Sequence, residues 1–323
     1  MSGANVHLPL PLVRQPHVLP GQYGVPGTDE RTGLRMHPTG AVFYVDPNYP
    51  GASDNRDGTL PTDPLLTVAA ALAKCLPFRG DTIMVGANDE WPEGAHDSDY
   101  QTPIQEAVVV TVPGVRIVGV NPSSPTGVTW RTPATGGPCI TVHALDTLIE
   151  GFAFIGAGGT AIYGLWDGVA AHGDSLVVRH CYFDLGVDIG IQLEFVWSAD
   201  IHDCVFRDCD DYGIYVDPAG FGIDHCLIHD NVFLDVDISA LSLRGADDCE
   251  IFGNRIFEAT AAGGGVATDR MIDCTPVAGS GNNLVHHNTL SCTKAQYPVT
   301  CKDGTVDAWV ENWCVDGPTV GNP

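Results

Sequence analysis

Ile201-His202-Asp203-Cys204-Val205-Phe206 and Ile228-His229-Asp230-Asn231-Val232-Phe233 are two copies of the six-residue phrase that decides the fold of this chain. The phrase reads apolar, polar, polar, variable, variable, apolar, and its fourth residue is Phe, Cys or Asn. Further copies occupy residues 149–154, 178–183, 251–256, 285–290 and 309–314, so that successive starts lie 23 to 34 residues apart. A fixed phrase at this irregular spacing indicates a solenoid, in which each repeat buries its apolar side only by stacking on its neighbours.

Period-two alternation of apolar and polar residues predicts strands rather than helices within each repeat. A second strand follows the phrase at Gly190 to Glu194 and at Gly213 to Asp217, with weaker copies at residues 239–243 and 270–274. The fourth residues of the phrase are expected to stack inside the coil as ladders, with Asn amides bonding turn backbone and each other. These residues are Phe152, Cys181, Cys204, Asn231, Asn254, Asn288 and Asn312.

The chain divides by pattern into three parts. Residues 1–40 are rich in Pro and Gly and are expected to form an extended arm that orders on a partner. Residues 41–86 predict a leading strand, a capping helix and a second strand, and residues 87–323 predict the stack. The arm's expected partner-binding side chains are apolar: Leu8, Leu10, Leu12, Val13, Val18 and Leu19.

The predicted helix covers an end of the stack, which would otherwise expose an unpaired strand edge. It is expected to begin at Pro64, the first helical position that proline favours. At helical spacing one face then carries a set of apolar residues: Leu65, Val68, Ala69, Leu72 and Leu76.

Composition excludes several classes of function. The chain has 15 basic against 40 acidic residues, a net charge of −25, which argues against binding to nucleic acid or to an anionic membrane surface. No segment approaches the roughly 20 apolar residues of a membrane span, and the first residues lack the pattern of a secretory signal. The 11 Cys cannot all pair within the chain, so buried reduced thiols are expected. We expect no metal site and no cofactor, although calcium is left open.

The chain resembles the right-handed parallel β-helix family of the pectin-lyase-like type. The resemblance covers about 280 residues and rests on the repeated phrase and on a leading segment, residues 43–48, 53–59, 64–75 and 80–83. It implies an all-β solenoid with a short capping helix after the Pro-rich arm. Similar leading segments open bacteriophage tailspike-like and other virion proteins, and some secreted carbohydrate-active enzymes. One fold hosts unrelated activities, so the resemblance alone does not choose among them.

The family's enzymes carry recognisable sites that this chain largely lacks. Of the four polygalacturonase-like motifs, only an Asp-Asp pair is present, at Asp210-Asp211, and no acidic cluster with a matching Arg suggests a pectate-lyase-like site. The residues themselves suggest Glu194 and Asp217, which fall at equivalent outward positions of adjacent coils about 5 Å apart. Such a pair could act as acid and nucleophile in a retaining glycosidase, arise by chance in an acidic chain, or bind calcium.

Aromatic and histidine side chains complete the candidate sites. Trp166, Trp197 and Tyr215 lie near the carboxylates in sequence and could stack on sugar rings. His202 and His229 share an outward column, for which a solvated surface ladder is favoured over metal binding or proton transfer. His286-His287 is expected to face opposite sides of its strand.

Three functions remain open from the sequence. The favoured one is a bacteriophage virion structural protein, either a capsid decoration or a tail-associated projection, with capsid decoration slightly preferred. It would be assembled in the host cytoplasm, form a homotrimer, dock on a capsid or tail protein through residues 1–40, and bind a glycan or host surface. The alternatives are a polysaccharide-degrading enzyme, such as a depolymerase, lyase or glycoside hydrolase, and a glycan-binding module without catalysis.

Overall fold

The structure is a computed structural model of the chain. It describes residues 40–86, 103–120, 128–133, 136–156, 158–166, 173–184, 186–216, 222–257, 271–274, 281–291, 301–302, 307–314 and 317–318. All of them lie in one unit, Thr39–Pro323. The predicted arm, apart from Gly40, and Asp217 lie outside the described residues, so both remain predictions.

The strands, numbered along the chain, form three sheets. Sheet A contains β1 (Val42–Val45), β2 (Thr82–Gly86), β4 (Arg116–Val120), β7 (Leu148–Glu150), β10 (Val177–Arg179), β13 (Asp200–His202), β16 (Leu227–His229), β19 (Glu250–Phe252), β22 (Leu284–His286) and β25 (Ala308–Val310). Sheet B contains β5 (Val128–Arg131), β8 (Phe152–Ile155), β11 (Tyr182–Asp184), β14 (Val205–Arg207), β17 (Val232–Leu234), β20 (Arg255–Phe257), β23 (Thr289–Leu290), β26 (Trp313–Cys314) and β27 (Gly317–Pro318). Sheet C contains β3 (Val108–Val110), β6 (Ile140–Val142), β9 (Thr160–Leu165), β12 (Ile189–Glu194), β15 (Tyr212–Val216), β18 (Ser239–Ser242), β21 (Ile272–Asp273) and β24 (Cys301–Lys302).

The order of the strands makes the architecture a right-handed parallel β-helix, as the sequence predicted. From β7 onward the chain passes from sheet A to sheet B to sheet C and back again, and each strand pairs in parallel with its counterpart in the next coil. Parallel pairing with crossovers through the other two sheets leaves one apolar core along the axis.

The six-residue phrase forms the corner between sheets A and B. Its first residue points into the core, as the fully buried Ile201 and Ile228 show, and its second points outward. Its third residue turns the chain with a positive φ, 54° at both Asp203 and Asp230. Asp, Asn, His and Gly tolerate this left-handed conformation better than other residues do, which explains the polar third position. The fourth residue re-enters the core.

Buried asparagines stabilise this corner along the stack. Asn231, Asn254, Asn288 and Asn312 are all 0% exposed. Asn254 donates its Nδ2 to the Ile228 carbonyl at 2.9 Å and to Asn288 Oδ1 at 3.0 Å, while its own Oδ1 accepts from the Nδ2 of Asn231 at 3.1 Å. Since every buried amide is satisfied by the neighbouring coils, the ladder holds the register of the stack. The predicted ladder is confirmed.

A second ladder precedes sheet A. Cys226 and Cys249 occupy equivalent positions in adjacent coils, and the Cys226 amide donates to Cys249 Sγ at 3.4 Å. Asn283 and Asp307 continue this column, which was not predicted from the sequence. The amide of Cys249 donates to Asn283 Oδ1, and that of Asn283 to Asp307 Oδ1, both at 3.0 Å. Because the loops between these four positions differ in length, their equivalence is not visible in the sequence.

Aromatic rings fill the core beneath sheet B. The rings of Phe154, Phe183, Phe206 and Phe233 stack in sequence with centroid separations of 5.2, 4.6 and 4.6 Å. Trp130 extends the stack through Phe154 at 6.2 Å. Each ring is fully buried and contributes both transfer free energy and ring contact.

The helix differs in length from the prediction. α1 spans only Val68–Leu72 and is capped by Thr67, whose side chain accepts from the Ala70 amide at 3.1 Å. Leu65, Val68 and Leu72 are buried as predicted, whereas Ala69 and Leu76 are exposed. The prediction extended a helical period across a segment that holds little more than one turn of helix. α1 packs against β1, β2 and β3, and its role as a cap stays a prediction.

The carboxyl end of the described stack folds back on itself. β27 pairs antiparallel with β26, with Trp313 opposite Pro318 and Cys314 opposite Gly317. The sequence did not decide between such a fold-back and a covering partner. Among the described residues, no helix is long and apolar enough to cross a membrane.

Candidate functional site

The outer face of sheet C carries a polar and aromatic column. The strand register places Gln192 beside Tyr163 on one side and Tyr215 on the other, and all three side chains are partly exposed. The column continues through Ser242 and Asp273 of the following coils. Tyr215 stacks on Tyr212 at 4.6 Å between ring centroids. Adjacent coils lie about 4.8 Å apart, so the column offers closely spaced hydrogen-bonding groups and ring surface.

Glu194 lies next to this column. The hydroxyl of Tyr163 donates a hydrogen bond to Glu194 Oε2, which fixes the carboxylate at the edge of the column. The predicted partner, Asp217, follows Val216, which pairs with Leu193. Because Asp217 lies outside the described residues, the carboxylate pair stays a prediction. The tyrosine contact was not predicted, because it depends on the register between β9 and β12.

The predicted sugar-stacking aromatics occupy different surroundings. Tyr215 lies in the column, whereas Trp166 packs edge-on against Phe195 with ring centroids 4.7 Å apart. Trp197 is 54% exposed and lies at the corner that leads to sheet A, where its amide donates to Asp174 Oδ1 at 2.8 Å. Tyr215 is therefore the member of this set that shares a face with Gln192, and Trp197 offers a separate exposed ring beyond Glu194.

Carboxylates crowd the corner that leads into sheet C. Burial raises the pKa of both Asp210 and Asp211, and repulsion from Asp188 and Asp237 adds to the effect. Asp188 is itself held by the Gly159 amide, which donates to its Oδ2 at 2.6 Å. The one polygalacturonase-like pair thus belongs to an acidic cluster at a corner, with no partner motif beside it in the sequence.

The outer face of sheet A carries a ladder of histidines. His202 pairs in register with His229, and their rings stack at 4.9 Å with an interplanar angle of 4°, which confirms the predicted column. The ladder is not solvated at His202, contrary to the prediction, because that side chain is buried and only 6% exposed. Phe252 and His286 continue the stack at 4.7 and 5.2 Å. Successive strands of sheet A pair in the same register, so these flat rings lie face to face.

Carboxylates bind the edges of these rings. His229 contacts Asp200 Oδ1 through Nε2 at 3.1 Å and Asp230 Oδ2 through Nδ1 at 3.0 Å. Burial lowers the pKa of His229, but the two carboxylates outweigh it and the net pKa is raised. The hydrogen bond with His202 lowers the pKa of Asp203 in the same ladder.

His286 and His287 do not face opposite sides of the strand, contrary to the prediction. His286 ends β22 and points outward, while His287 occupies the corner position with a φ of 55°. Strict alternation holds only while the backbone stays extended. The positive φ returns the second ring to the outer surface, where the two rings lie 4.9 Å apart.

Among the described residues, one cluster of carboxylates and a histidine could hold a cation. Asp224, His225 and Asp248 each offer a ligand atom, and these atoms lie within 4.8 Å of one another. His225 and Asp248 are exposed, and His225 Nδ1 already contacts Asp224 Oδ1 at 2.6 Å. Carboxylates suit calcium, and calcium binding stays a prediction.

The described cysteines are structural. Nine of the described cysteines are buried: Cys75, Cys139, Cys181, Cys204, Cys209, Cys226, Cys249, Cys274 and Cys314. Burial raises the pKa of Cys75 to about 12 and raises that of Cys139 further. Because the thiolate is the reactive form, these side chains act as small hydrophobes, as the sequence predicted.

Comparison with known proteins agrees with the fold. Residues 167–317 match the family model described as the right handed beta helix region. The match and the three parallel sheets together define the chain as a right-handed parallel β-helix protein. The search of curated proteins found no match.

Solved structures to which the chain is similar include a phage tailspike domain, a lyase and a lacto-N-biosidase. The bacteriophage CBA120 tailspike protein 2 enzymatically active domain aligns with a TM-score of 0.50 and 13% sequence identity. The alignment covers 77% of this chain and 36% of the tailspike domain. This chain therefore spans about a third of that domain. A rhamnogalacturonan lyase aligns with a TM-score of 0.36 and 13% identity, over 86% of this chain and 74% of the lyase chain. The lacto-N-biosidase of Eubacterium ramulus aligns with a TM-score of 0.35 and 12% identity, over 84% of this chain and 67% of the lacto-N-biosidase chain.

Proposed function

We propose that this chain is a β-helical projection of a bacteriophage particle that binds a surface glycan along the outer face of sheet C. The observation that carries the glycan part is the column of Tyr163, Gln192 and Tyr215, which presents aromatic and amide groups on successive coils. Tyrosine offers an apolar ring and a hydroxyl donor together, a combination suited to sugars, and the rigid sheet preorganises it. The fold likeness to a tailspike domain supports the virion part.

The charge of the site indicates which glycans it accepts. Glu194 lies beside the column and Asp273 continues it, while Asp210 and Asp211 belong to the acidic cluster at the corner that leads into the same sheet. The whole chain carries a net charge of −25. Like charge disfavours polymers of uronic acids, while neutral sugars and amino sugars meet no such repulsion. The proposed ligand is accordingly a neutral or amino-sugar glycan.

Binding can be tested with a glycan array followed by affinity measurements on the hits. Replacing Tyr215 by Ala removes a ring from the column and is expected to weaken binding about tenfold, since a lost aromatic contact of about 1.4 kcal/mol corresponds to that factor. Phe257→Ala is the matched control, because Phe257 is 42% exposed on the outer face of sheet B. Equal affinities for the two variants would overturn the assignment of the glycan to sheet C.

The virion part of the proposal includes a homotrimer anchored by residues 1–40 on a capsid or tail protein. Exposed apolar side chains on sheet A, such as Val42 at 39% and Leu227 at 36%, support association of the body. Light scattering on the full chain and on residues 41–323 is expected to give a trimer for both. Monomers in both samples would contradict a trimeric projection.

A polysaccharide-degrading enzyme is the second candidate. The hydrogen bond from Tyr163 to Glu194 favours it, because an oriented carboxylate is what a glycosidase requires. Release of reducing ends from a bound glycan, lost in both Glu194→Gln and Asp217→Asn, would establish catalysis. Saturable binding without release of product would leave the projection as a binding protein, and an unchanged rate in both variants would exclude this pair.

A further inference from the structure

His286 and His287, at the carboxyl end of β22, have an arrangement that the proposed glycan site does not explain. Nδ1 of His286 and Nδ1 of His287 lie 2.6 Å apart. On the other side of each ring, Nε2 contacts a carboxylate at 2.8 Å: Glu250 Oε1 for His286 and Glu311 Oε2 for His287.

The carboxylates determine which ring nitrogens carry hydrogen. An ionised carboxylate only accepts hydrogen bonds, so each Nε2 must be the donor. In the neutral rings both Nδ1 atoms then carry lone pairs that face each other at 2.6 Å. Two lone pairs at this distance repel unless a proton or a metal ion lies between them.

We propose that His286 and His287 bind one divalent transition-metal ion through their Nδ1 atoms. Imidazole nitrogen suits zinc, nickel and copper, whereas calcium prefers oxygen. A carboxylate behind each ligating imidazole is the usual support of such sites, because it fixes the tautomer and makes the ring a better donor. Glu250 and Glu311 hold that position here, and water would complete the coordination shell on this exposed surface.

The surrounding structure holds both rings in place before a metal binds. Phe252 stacks on His286 at 5.2 Å and 10°, and Asn288 Nδ2 donates to the His286 carbonyl at 3.1 Å. The His287 amide donates to the Val310 carbonyl at 3.3 Å. Because a metal–nitrogen bond is about 2.0–2.1 Å long, two Nδ1 atoms on one ion lie about 3 Å apart, so the pair must open slightly from 2.6 Å on binding.

The experiment is equilibrium dialysis of the full, tag-free chain against nickel or zinc chloride, after chelator treatment and with excess calcium to occupy carboxylate sites. The wild type is expected to bind one equivalent that His286→Gln and His287→Asn both lose. Asn is chosen at position 287 because it tolerates positive φ. Glu250→Gln, which keeps both ligands and removes one supporting charge, is expected to weaken binding roughly tenfold or more.

His180→Asn and His225→Gln are the matched controls. His180 occupies the same kind of corner as His287, with a φ of 51°, and His225 belongs to the separate set with Asp224 and Asp248. Both controls are expected to retain the equivalent, with circular dichroism confirming the fold of every variant. Absence of binding by the wild type, or binding retained in both His286→Gln and His287→Asn, would overturn the proposal. The glycan experiments do not depend on either outcome.

Discussion

A single buried asparagine connects three coils of this protein. Replacing Asn254 by Ala leaves the Nδ2 and the backbone amide of Asn231 without their acceptor and the Ile228 carbonyl without its donor. Each buried group left unsatisfied costs about 1–3 kcal/mol, so the variant is expected to lose about 3 kcal/mol or more of unfolding free energy. Chemical denaturation followed by fluorescence measures the loss. The exposed Asn55→Ala is the control, and a comparable loss in that variant would contradict the ladder.

The histidine ladder is expected to make stability depend on pH. The pKa of His229 is raised in the folded state, so its contribution is fully present below the ordinary value of about 6.5 and disappears as pH rises through the raised folded pKa. The wild type should therefore exceed His229→Gln in melting temperature by more at pH 6 than at pH 9. Thermal unfolding in chelator-containing buffer at both values measures this. A melting-temperature difference that is the same at both would show that the Asp200 and Asp230 contacts carry no linkage.

At the scale of single elements, the ring stack beneath sheet B sets the packing of the core. Phe206 lies between Phe183 and Phe233, each 4.6 Å away, and is fully buried. Phe206→Ala is expected to cost about 3–5 kcal/mol, because the stack on both sides limits collapse into the cavity. Phe257→Ala removes the same group from the outer face of sheet B. Denaturation midpoints of the two variants compare the sites directly, and equal shifts would argue against the stack as a stabilising core.

How far the sequence could predict the fold depended on whether each element kept its period. Asn231 and Asn254 were placed correctly because the phrase repeats around them without insertion. His287 was misplaced because alternation assumes extended backbone, and a positive φ at the corner reverses the side chain. The predicted helix was longer than α1, because the spacing of Leu65, Val68 and Leu72 fits a helix whether or not the helical backbone extends over all of them.

The candidate site was less predictable than the fold. Tyr215 and Glu194 were proposed from their coil positions, but the hydrogen bond from Tyr163 depends on a register across loops of different length. The same uncertainty about register prevented the prediction that Asn283 and Asp307 continue the column of Cys226 and Cys249. Contacts along one strand phrase can be read from the sequence, whereas contacts between phrases require the length of every intervening loop.

For the whole molecule, the net charge of −25 leads to a prediction about ligand choice. An oligomer of uronic acid is expected to bind at least tenfold more weakly than a neutral oligomer of equal length at low salt, because both partners are anionic. Rising salt should narrow the gap as the repulsion is screened. Calorimetry at two ionic strengths measures both effects. Preferential binding of the uronic acid oligomer would contradict the acidic face as the binding surface.

A crystal structure of the chain with a bound oligosaccharide from the glycan array tests the proposed binding face most directly. We expect the sugar rings to lie along the outer face of sheet C, in contact with Tyr163, Gln192 and Tyr215 and within reach of Glu194. An oligosaccharide bound to the outer face of sheet A or sheet B instead would contradict it.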